Sequence, residues 1–266
     1  MIGFNNISPI IKRLIIINVV MLVLTMLTEH AGIDLVQWFG LYYFKSQYFQ
    51  PYQFVTHIFM HGGWMHLLFN MYALYIFGTA LEQVWGGKRL LIYYFTTGLG
   101  AATLHTFVNY LEISHLEEAV SAFINTPTPE LLTSLVKTLK YPAPWLYEFI
   151  DHWGDAPFDA QYVQRAAEIA QAIVQQRMDV PTVGASGAVY GVLLAFGMLF
   201  PNTRLMLLFP PIPIKAKWFV VAYGAIELAL GISDSGSNVA HFAHVGGMLF
   251  GLLLILYWRK NSRDFY

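Results

Sequence analysis

Serine, histidine and asparagine occur in three segments of the chain that are otherwise apolar or rich in small residues. Ser186 lies in "VGASGAVYG", His66 and Asn70 lie in "HGGWMHLLFNMYAL", and "NVAHFAHVGGMLFG" contains His241 and His244. A serine hydroxyl becomes a nucleophile when an imidazole removes its proton, and hydrogen-bond donors stabilise the oxyanion that its attack creates. These residue types indicate acyl transfer. Ser186 would attack, a histidine of the third segment would be the base, and His66 and Asn70 would be oxyanion donors.

The composition of the 266-residue chain is typical of a membrane protein, because 56% of its residues are hydrophobic and only 12% are charged. A soluble domain normally carries about 25% charged residues. This composition favours the lipid bilayer as a partner, and the net charge of −1 gives no indication of nucleic acid. The absence of cysteine excludes disulfides and thiolate chemistry. We expect no cofactor and no metal, since His57 and His61, although spaced like metal ligands, have no carboxylate near them in the sequence.

Six stretches of the chain are long and apolar enough to cross a bilayer, which takes roughly 20 mostly apolar residues. Basic residues precede the first stretch, follow the sixth, and lie between the second and third and between the fourth and fifth. Because basic residues favour the cytoplasmic side, we expect both termini there. This topology and the absence of cysteine suit a bacterial inner membrane, with an organelle as the alternative. The stretches are residues 10–28, 64–84, 89–109, 183–200, 216–232 and 240–258.

The pattern predicts an all-α membrane protein in three parts. Residues 1–110 hold transmembrane helices 1 to 3 and a loop, residues 29–56, whose amphipathic, aromatic section is expected to lie in the membrane interface. Residues 111–180 form a polar, helical insertion outside the cytoplasm, with one helix starting near Pro129 and another in "DAQYVQRAAEIAQAIVQQ". Residues 181–266 hold transmembrane helices 4 to 6. The sequence assigns no role to the insertion.

The polar residues of spans 2, 4 and 6 fall at a similar depth, because all three spans run inward and carry these residues near their outer ends. Polar groups inside spans are costly to bury, so their shared depth favours a function. Each alone has a simpler explanation, since a serine can bond its own helix, and His66 with Asn70 can join two helices. A transporter or channel would need polar residues through both leaflets, whereas the inner halves of the spans are almost wholly apolar.

Small residues surround the candidate nucleophile and the third segment. Gly184 and Gly187 leave space beside the hydroxyl of Ser186 for a substrate backbone. Gly247 and Gly251 would let span 6 approach span 4 closely, as small residues do in membrane proteins. We therefore expect the hydroxyl and an imidazole to come within reach of each other.

The three segments resemble the motifs of the rhomboid family of intramembrane serine proteases. "GASGAVYG" resembles the GxSG motif of that family, "AHVGGMLFG" resembles its AHxxGxxxG span, and "HGGWMHLLFNMYAL" resembles its HxxxN span. The resemblance implies a six-helix rhomboid bundle in which Ser186 is the nucleophile and His244 is the base. It also implies that His241 is a bystander and that His66 and Asn70 serve the oxyanion.

The resemblance further implies that Tyr190 packs its ring on the catalytic imidazole and that catalysis uses a Ser–His dyad. Glu227 in span 5 is the acidic residue whose depth would suit a third catalytic member. An ionised carboxylate is expensive to bury beside the base. We therefore expect Glu227 to line the span interface or face water, and to be dispensable for activity.

The resemblance implies an endopeptidase that cleaves single-span membrane proteins in or near their transmembrane segment. The alternative is a catalytically silent rhomboid-like protein that binds membrane proteins, although silent members generally lack the serine or the histidine. In the first loop, Tyr52 and Gln53 replace the Trp-Arg pair that many members carry. The natural substrate, the cleavage site and the oligomeric state are left open.

Overall fold

The computed structural model consists almost entirely of helices, as the apolar runs predict. It describes residues 7–138, 143–206, 212–233 and 240–261. The helices are α1 (Pro9–Glu29), α2 (Leu35–Phe39), α3 (Gln53–Thr56), α4 (Trp64–Ala73), α5 (Thr79–Asn125), α6 (Pro129–Thr138), α7 (Pro144–Asp155), α8 (Ala160–Met178), α9 (Ser186–Leu199), α10 (Ala216–Ile232) and α11 (His241–Asn261). A 3₁₀ turn at His57–Phe59 follows α3, and a π turn at Leu74–Gly78 joins α4 to α5.

The chain divides into two compact units. The first unit lies within Met1–Tyr42, Tyr48–Thr106 and Pro181–Tyr266, and the second consists of Tyr43–Gln47 and Phe107–Val180. The second unit therefore starts a few residues before the predicted insertion and adds a short piece of the first loop. All the candidate catalytic residues belong to the first unit.

Two helices of the described residues, α1 and α11, are long and apolar enough to span a membrane by length and composition. The apolar helix α9 is shorter, with 14 residues. It begins at Ser186 and not at residue 183, because Gly184 has a positive φ that ends helical geometry there. The number of six spans stays a prediction.

Helix α5 differs most from the predicted spans. Gly86 has a φ of 74° and a ψ of 161°, which interrupts the helix where predicted spans 2 and 3 were separated. The helix then continues to Asn125, well beyond residue 109. It continues because its last turns keep one apolar face at helical spacing, and that face is buried in the second unit. The buried residues are Ile113, Leu116, Val120 and Phe123.

The second unit has its own apolar core, to which α6, α7 and α8 contribute. As predicted, a helix begins at Pro129, and the Thr128 hydroxyl accepts a hydrogen bond from the N–H of Leu131 at 3.2 Å. Asp159 caps α8 by accepting from the N–H of Gln161 at 2.8 Å. Helix α7 was not predicted, and it contributes a fully buried tryptophan, Trp153.

A small β-ribbon departs from the all-α prediction. Strands β1 (Arg204–Met206) and β2 (Pro213–Lys215) pair in antiparallel fashion, with Leu205 opposite Ile214. The ribbon lies between α9 and α10, so it lies outside the predicted spans.

The first turn of α1 receives its cap from a distant carboxylate. The N-cap residue, Ser8, makes no side-chain capping bond. Instead, Glu82 on α5 accepts from the N–H of Ile10 through Oε1 and from the N–H of Ile11 through Oε2, both at 3.0 Å. A carboxylate at the N-terminal end of a helix accepts from N–H groups that have no partner within the helix, and its negative charge interacts favourably with the helix dipole. Glu82 therefore has a structural role in the contact between α1 and α5.

Candidate active site

The candidate nucleophile begins α9 directly after a turn that needs glycine. Gly184 has a φ of +127°, a conformation that residues with a side chain rarely adopt. A methyl group added there would lie 2.8 Å from Nε2 of His66 and 3.6 Å from Oγ of Ser186. The ring of His66 and the hydroxyl of Ser186 therefore flank the same glycine. The structure brings the predicted nucleophile and one predicted oxyanion donor together.

The segment before the nucleophile is held by residues of the first loop and of α5. Leu41 and Thr182 exchange backbone hydrogen bonds of 2.9 and 2.8 Å. The carbonyl of His57 accepts from the N–H of Gly184 at 3.0 Å, and the hydroxyl of Thr182 lies 2.9 Å from Nε2 of His105. Displacement of the first loop would therefore move the turn that carries the nucleophile.

Gln53, at the position where the family resemblance leads us to expect arginine, anchors that loop. Its side chain is fully buried. Oε1 accepts from the N–H of Tyr42 at 3.3 Å and of Gln50 at 3.1 Å. Nε2 donates to the carbonyls of Trp38 at 3.2 Å and Tyr48 at 2.9 Å. A side-chain amide has two donor hydrogens and two acceptor positions, so all four are used.

Replacing Gln53 with alanine is expected to lower the thermal unfolding midpoint in detergent by about 5–10 °C. Four loop groups lose their partner, and each unsatisfied buried group costs about 1–3 kcal/mol before water replaces part of the loss. Differential scanning fluorimetry measures the change. The matched control is Tyr52→Ala, because Tyr52 is the neighbouring residue and is 49% exposed. Equal midpoints for the two variants would contradict the anchoring role.

Helices α9 and α11 approach each other at the predicted small residues. A Cβ on Gly247 would overlap the carbonyl of Gly187. A Cβ on Gly187 would overlap Ala101, and a Cβ on Gly251 would overlap the hydroxyl of Tyr93. Gly187 and Gly247 therefore permit backbone contact between α9 and α11 beside the nucleophile, whereas Gly251 lies against α5 and not against α9 as expected.

The predicted base, His244, is buried on α11, with 7% of its surface exposed. Its ring stacks on that of Tyr190, with ring centroids 4.1 Å apart and planes 7° from parallel. Tyr190 is one turn after Ser186 on α9. The stack thus places the predicted base beside the helix that begins with the predicted nucleophile, as the resemblance implies.

Glu227 lines the interface of span 5, one of the two positions we expected, but it does so in contact with the predicted base. It is 8% exposed, and its Oε2 accepts from Nδ1 of His244 at 2.8 Å and from Nδ1 of His241 at 2.7 Å. Its Oε1 accepts from the hydroxyl of Tyr190. The sequence argument did not foresee a contact with the base at this interface, because it judged an ionised carboxylate beside His244 too costly to bury. Three converging donors offset the cost of burying the carboxylate, which the sequence argument counted without them.

The same three side chains could also hold a metal ion, since ligand atoms of Glu227, His241 and His244 all lie within 4.8 Å of one another. Two histidines and a carboxylate are a common ligand set for divalent metals. The Nδ1–Oε2 separations of 2.7 and 2.8 Å are those of N–H···O hydrogen bonds. We therefore interpret the cluster as hydrogen-bonded, and the expectation of no metal stays a prediction.

No hydrogen bond joins Oγ of Ser186 to His244 among the described residues. Catalytic hydrogen bonds are often long without substrate and shorten when it binds. A cavity of about 20 Å³ adjoins the hydroxyl and is lined partly by Thr182, Gly187 and Ala243. That volume holds about one water molecule.

Asn70 bonds within its own helix. Its side-chain nitrogen donates to the carbonyl of His66 at 3.0 Å, which uses one of its two donor hydrogens. Nδ1 of His66 lies 3.4 Å from the backbone N–H of Gly62, which donates to it. A neutral ring that accepts at Nδ1 carries its proton on Nε2, the atom beside Gly184. His66 is therefore oriented as a donor toward the nucleophile turn.

Two histidines that the sequence argument left aside lie close to this region. The buried ring of His61 has its centroid 5.1 Å from that of His66. Burial lowers the pKa of His57 to about 4, so this ring is neutral and donates from Nδ1 to the carbonyl of Gln53 at 2.8 Å. Their spacing in the sequence, which is also that of metal ligands, does not predict these separate contacts.

Comparison with known proteins covers much of the chain. Residues 48–115 and 162–261 match the model of a family described as Rhomboid domain. A mitochondrial protein of Schizosaccharomyces pombe, named an uncharacterized rhomboid protein, is 27% identical over 215 residues, 78% of this chain and 52% of the relative.

Two further relatives match shorter segments. The mitochondrial rhomboid protein 1 of Saccharomyces cerevisiae is 35% identical over 80 residues, 30% of this chain and 23% of its own length. The rhomboid protease AarA of Providencia stuartii is 38% identical over 56 residues, 21% of this chain and 20% of its own length. The chain spans about half the length of the first relative and less of these two.

Proposed function

Because the chain belongs to the rhomboid family, we propose that it is an intramembrane serine endopeptidase of single-span membrane proteins. The protein is a multi-pass membrane protein, and its family includes proteins named as proteases. The observation that carries the proposal is the stack of Tyr190 on His244, which holds an imidazole beside the helix that begins with Ser186.

In the proposed reaction, Oγ of Ser186 attacks the carbonyl carbon of the scissile amide while Nε2 of His244 takes the hydroxyl proton. The carbonyl π electrons move to the oxygen, where the N–H of Ser186 and Nε2–H of His66 donate to the oxyanion. When the carbonyl re-forms, the C–N bond breaks and His244 gives its proton to the departing amine. Water then attacks the acyl ester by the same route and releases Ser186.

Asn70 is proposed as a further oxyanion donor, because the bond to the carbonyl of His66 leaves one of its amide hydrogens available. The predicted room for a substrate backbone beside Gly187 is filled by Ala101, and Gly184 lies against the ring of His66. The substrate helix must unwind locally, because its amides are shielded by their own hydrogen bonds. Glycine or small polar residues in the substrate segment favour such unwinding.

We propose six spans, with both termini on the same side of the membrane and the lipid bilayer and single-span proteins as partners. Which cellular membrane holds the protein is a separate question. Two of the matched relatives are named as mitochondrial, so the expected bacterial inner membrane has no support from them. We therefore propose that the protein lies in a membrane, and we assign it to no compartment.

The purified protein in liposomes is expected to cleave a single-span substrate whose transmembrane segment contains glycine and serine. It should leave uncut a matched substrate whose segment is uninterrupted leucine, because that helix does not unwind. Mass spectrometry of the products should place the new termini in or next to the transmembrane segment. Absence of product from both substrates would contradict the proposal and favour a catalytically silent rhomboid-like binder.

A further inference from the structure

We propose that Glu227 is a positioning residue, whose carboxylate holds His244 in the tautomer and orientation that the base requires. The site then works as a Ser–His–Glu unit and not as the dyad that the family resemblance implies. This inference rests on the proposed function, because it assigns a role to a residue of the same site.

The hydrogen bond between Glu227 and His244 determines which ring nitrogen carries the proton. Oε2 of Glu227 lies 2.8 Å from Nδ1 of His244, and a carboxylate can only accept. The proton of the neutral ring is therefore on Nδ1, which leaves the lone pair of Nε2 to accept from Ser186. Without the carboxylate, a neutral imidazole can carry its proton on either nitrogen, and only one of these forms is a base toward the serine.

The carboxylate is itself held in place from two other helices. Tyr190 on α9 donates its hydroxyl to Oε1, and His241 on α11 donates Nδ1–H to Oε2 at 2.7 Å. With His244, three donors contact the two oxygens. Tyr190 acts twice, because its ring also stacks on the imidazole that the carboxylate binds. Rotation of the His244 ring would break the stack and the hydrogen bond together.

The charge of Glu227 also favours the state that His244 enters during catalysis. When Nε2 takes the serine proton, an imidazolium forms next to the carboxylate and is stabilised by it. Among the described residues, the titratable groups that face His244 are Glu227 on α10, Tyr190 on α9, His241 on its own helix and His66 on α4. Of these groups, Glu227 is the one whose charge is opposite to that of the imidazolium.

The test is Glu227→Gln in the full-length protein, assayed on the single-span substrate. We expect kcat to fall about 10²-fold with little change in KM, a smaller loss than for removal of the base because the Tyr190 stack still orients the ring.

A second readout does not depend on turnover. It is the ¹H NMR spectrum of the protein labelled with ¹⁵N-histidine. In such a spectrum, a proton that Nδ1 donates to a carboxylate resonates far downfield. We expect such a signal for His244 in the wild type and in Ser186→Ala, and its loss in Glu227→Gln. His241→Ala separates the signal of His244 from that of its neighbour.

The matched control is Glu82→Gln, which alters another buried carboxylate of the first unit that makes no contact with the site. It should lower the unfolding midpoint while kcat stays at the wild-type value. A wild-type kcat together with an unchanged downfield signal in Glu227→Gln would overturn the inference while serine-dependent cleavage still upheld the proposed function. If Glu227→Gln does not fold, absence of the downfield signal in the wild type would overturn the inference about Glu227. A wild type that cuts nothing would instead contradict the function.

Discussion

Replacing Ser186 with alanine is expected to lower kcat by about 10⁴-fold or more while the protein stays folded. The variant removes only a hydroxyl, and that hydroxyl makes no hydrogen bond with the described residues. No side-chain hydrogen bond caps the start of α9, so the hydroxyl has no capping role there. The structure therefore gives the hydroxyl no role in stability that could explain a loss of cleavage.

The measurement is product formation from the glycine- and serine-containing substrate in liposomes, together with the thermal unfolding midpoint. Ser233→Ala is the matched control, because Ser233 follows α10 and its hydroxyl donates to the carbonyl of Leu230 at 3.1 Å, away from Ser186 in the chain. The control should cleave at the wild-type rate. Wild-type cleavage by Ser186→Ala would show that another residue is the nucleophile.

Replacing His244 with alanine is expected to lower kcat by a similar factor, about 10⁴-fold or more, because no other group takes the serine proton. His241→Ala is the matched variant, since both histidines donate from Nδ1 to the same oxygen of Glu227. Only His244 stacks on Tyr190 and adjoins the nucleophile helix. We expect His241→Ala to stay within about tenfold of the wild type.

Steady-state kinetics of the two histidine variants, with circular dichroism to establish folding, make this comparison. His244→Ala removes both the base and the ring that stacks on Tyr190, so the unfolding midpoint of this variant should fall as well. Equal losses of kcat in folded His241→Ala and His244→Ala would contradict the assignment of the base. A larger loss in His241→Ala would reverse that assignment.

The helices that position the site follow closely from apolar runs in the sequence. Helix α10 has the predicted bounds, and α1 and α11 differ from their predictions by a few residues at most. The packing glycines could also be predicted, because only small residues permit the contact that Gly187 and Gly247 make. These features depend on local composition and spacing, which a single sequence contains.

The features that were not predicted depend on groups that converge from distant parts of the chain. The cost of burying Glu227 was foreseen, but the three donors that offset it come from α9 and α11. The role of Gln53 depends on four loop backbone groups whose positions the sequence does not give. The extension of α5 was visible as helical periodicity after residue 109, but the prediction ended the span at the bilayer length.

The cap that Glu82 provides for α1 has a consequence for how the protein is made. The capped N–H groups, those of Ile10 and Ile11, lie 72 and 71 residues before the carboxylate in the chain. A nascent first helix therefore leaves the ribosome before its cap exists, and its terminal N–H groups remain hydrated. Hydration keeps that end at the membrane surface until the second apolar stretch arrives. Membrane insertion of the first helix and its docking against α5 are thus separate events. The docking takes place only after α5 has been synthesised.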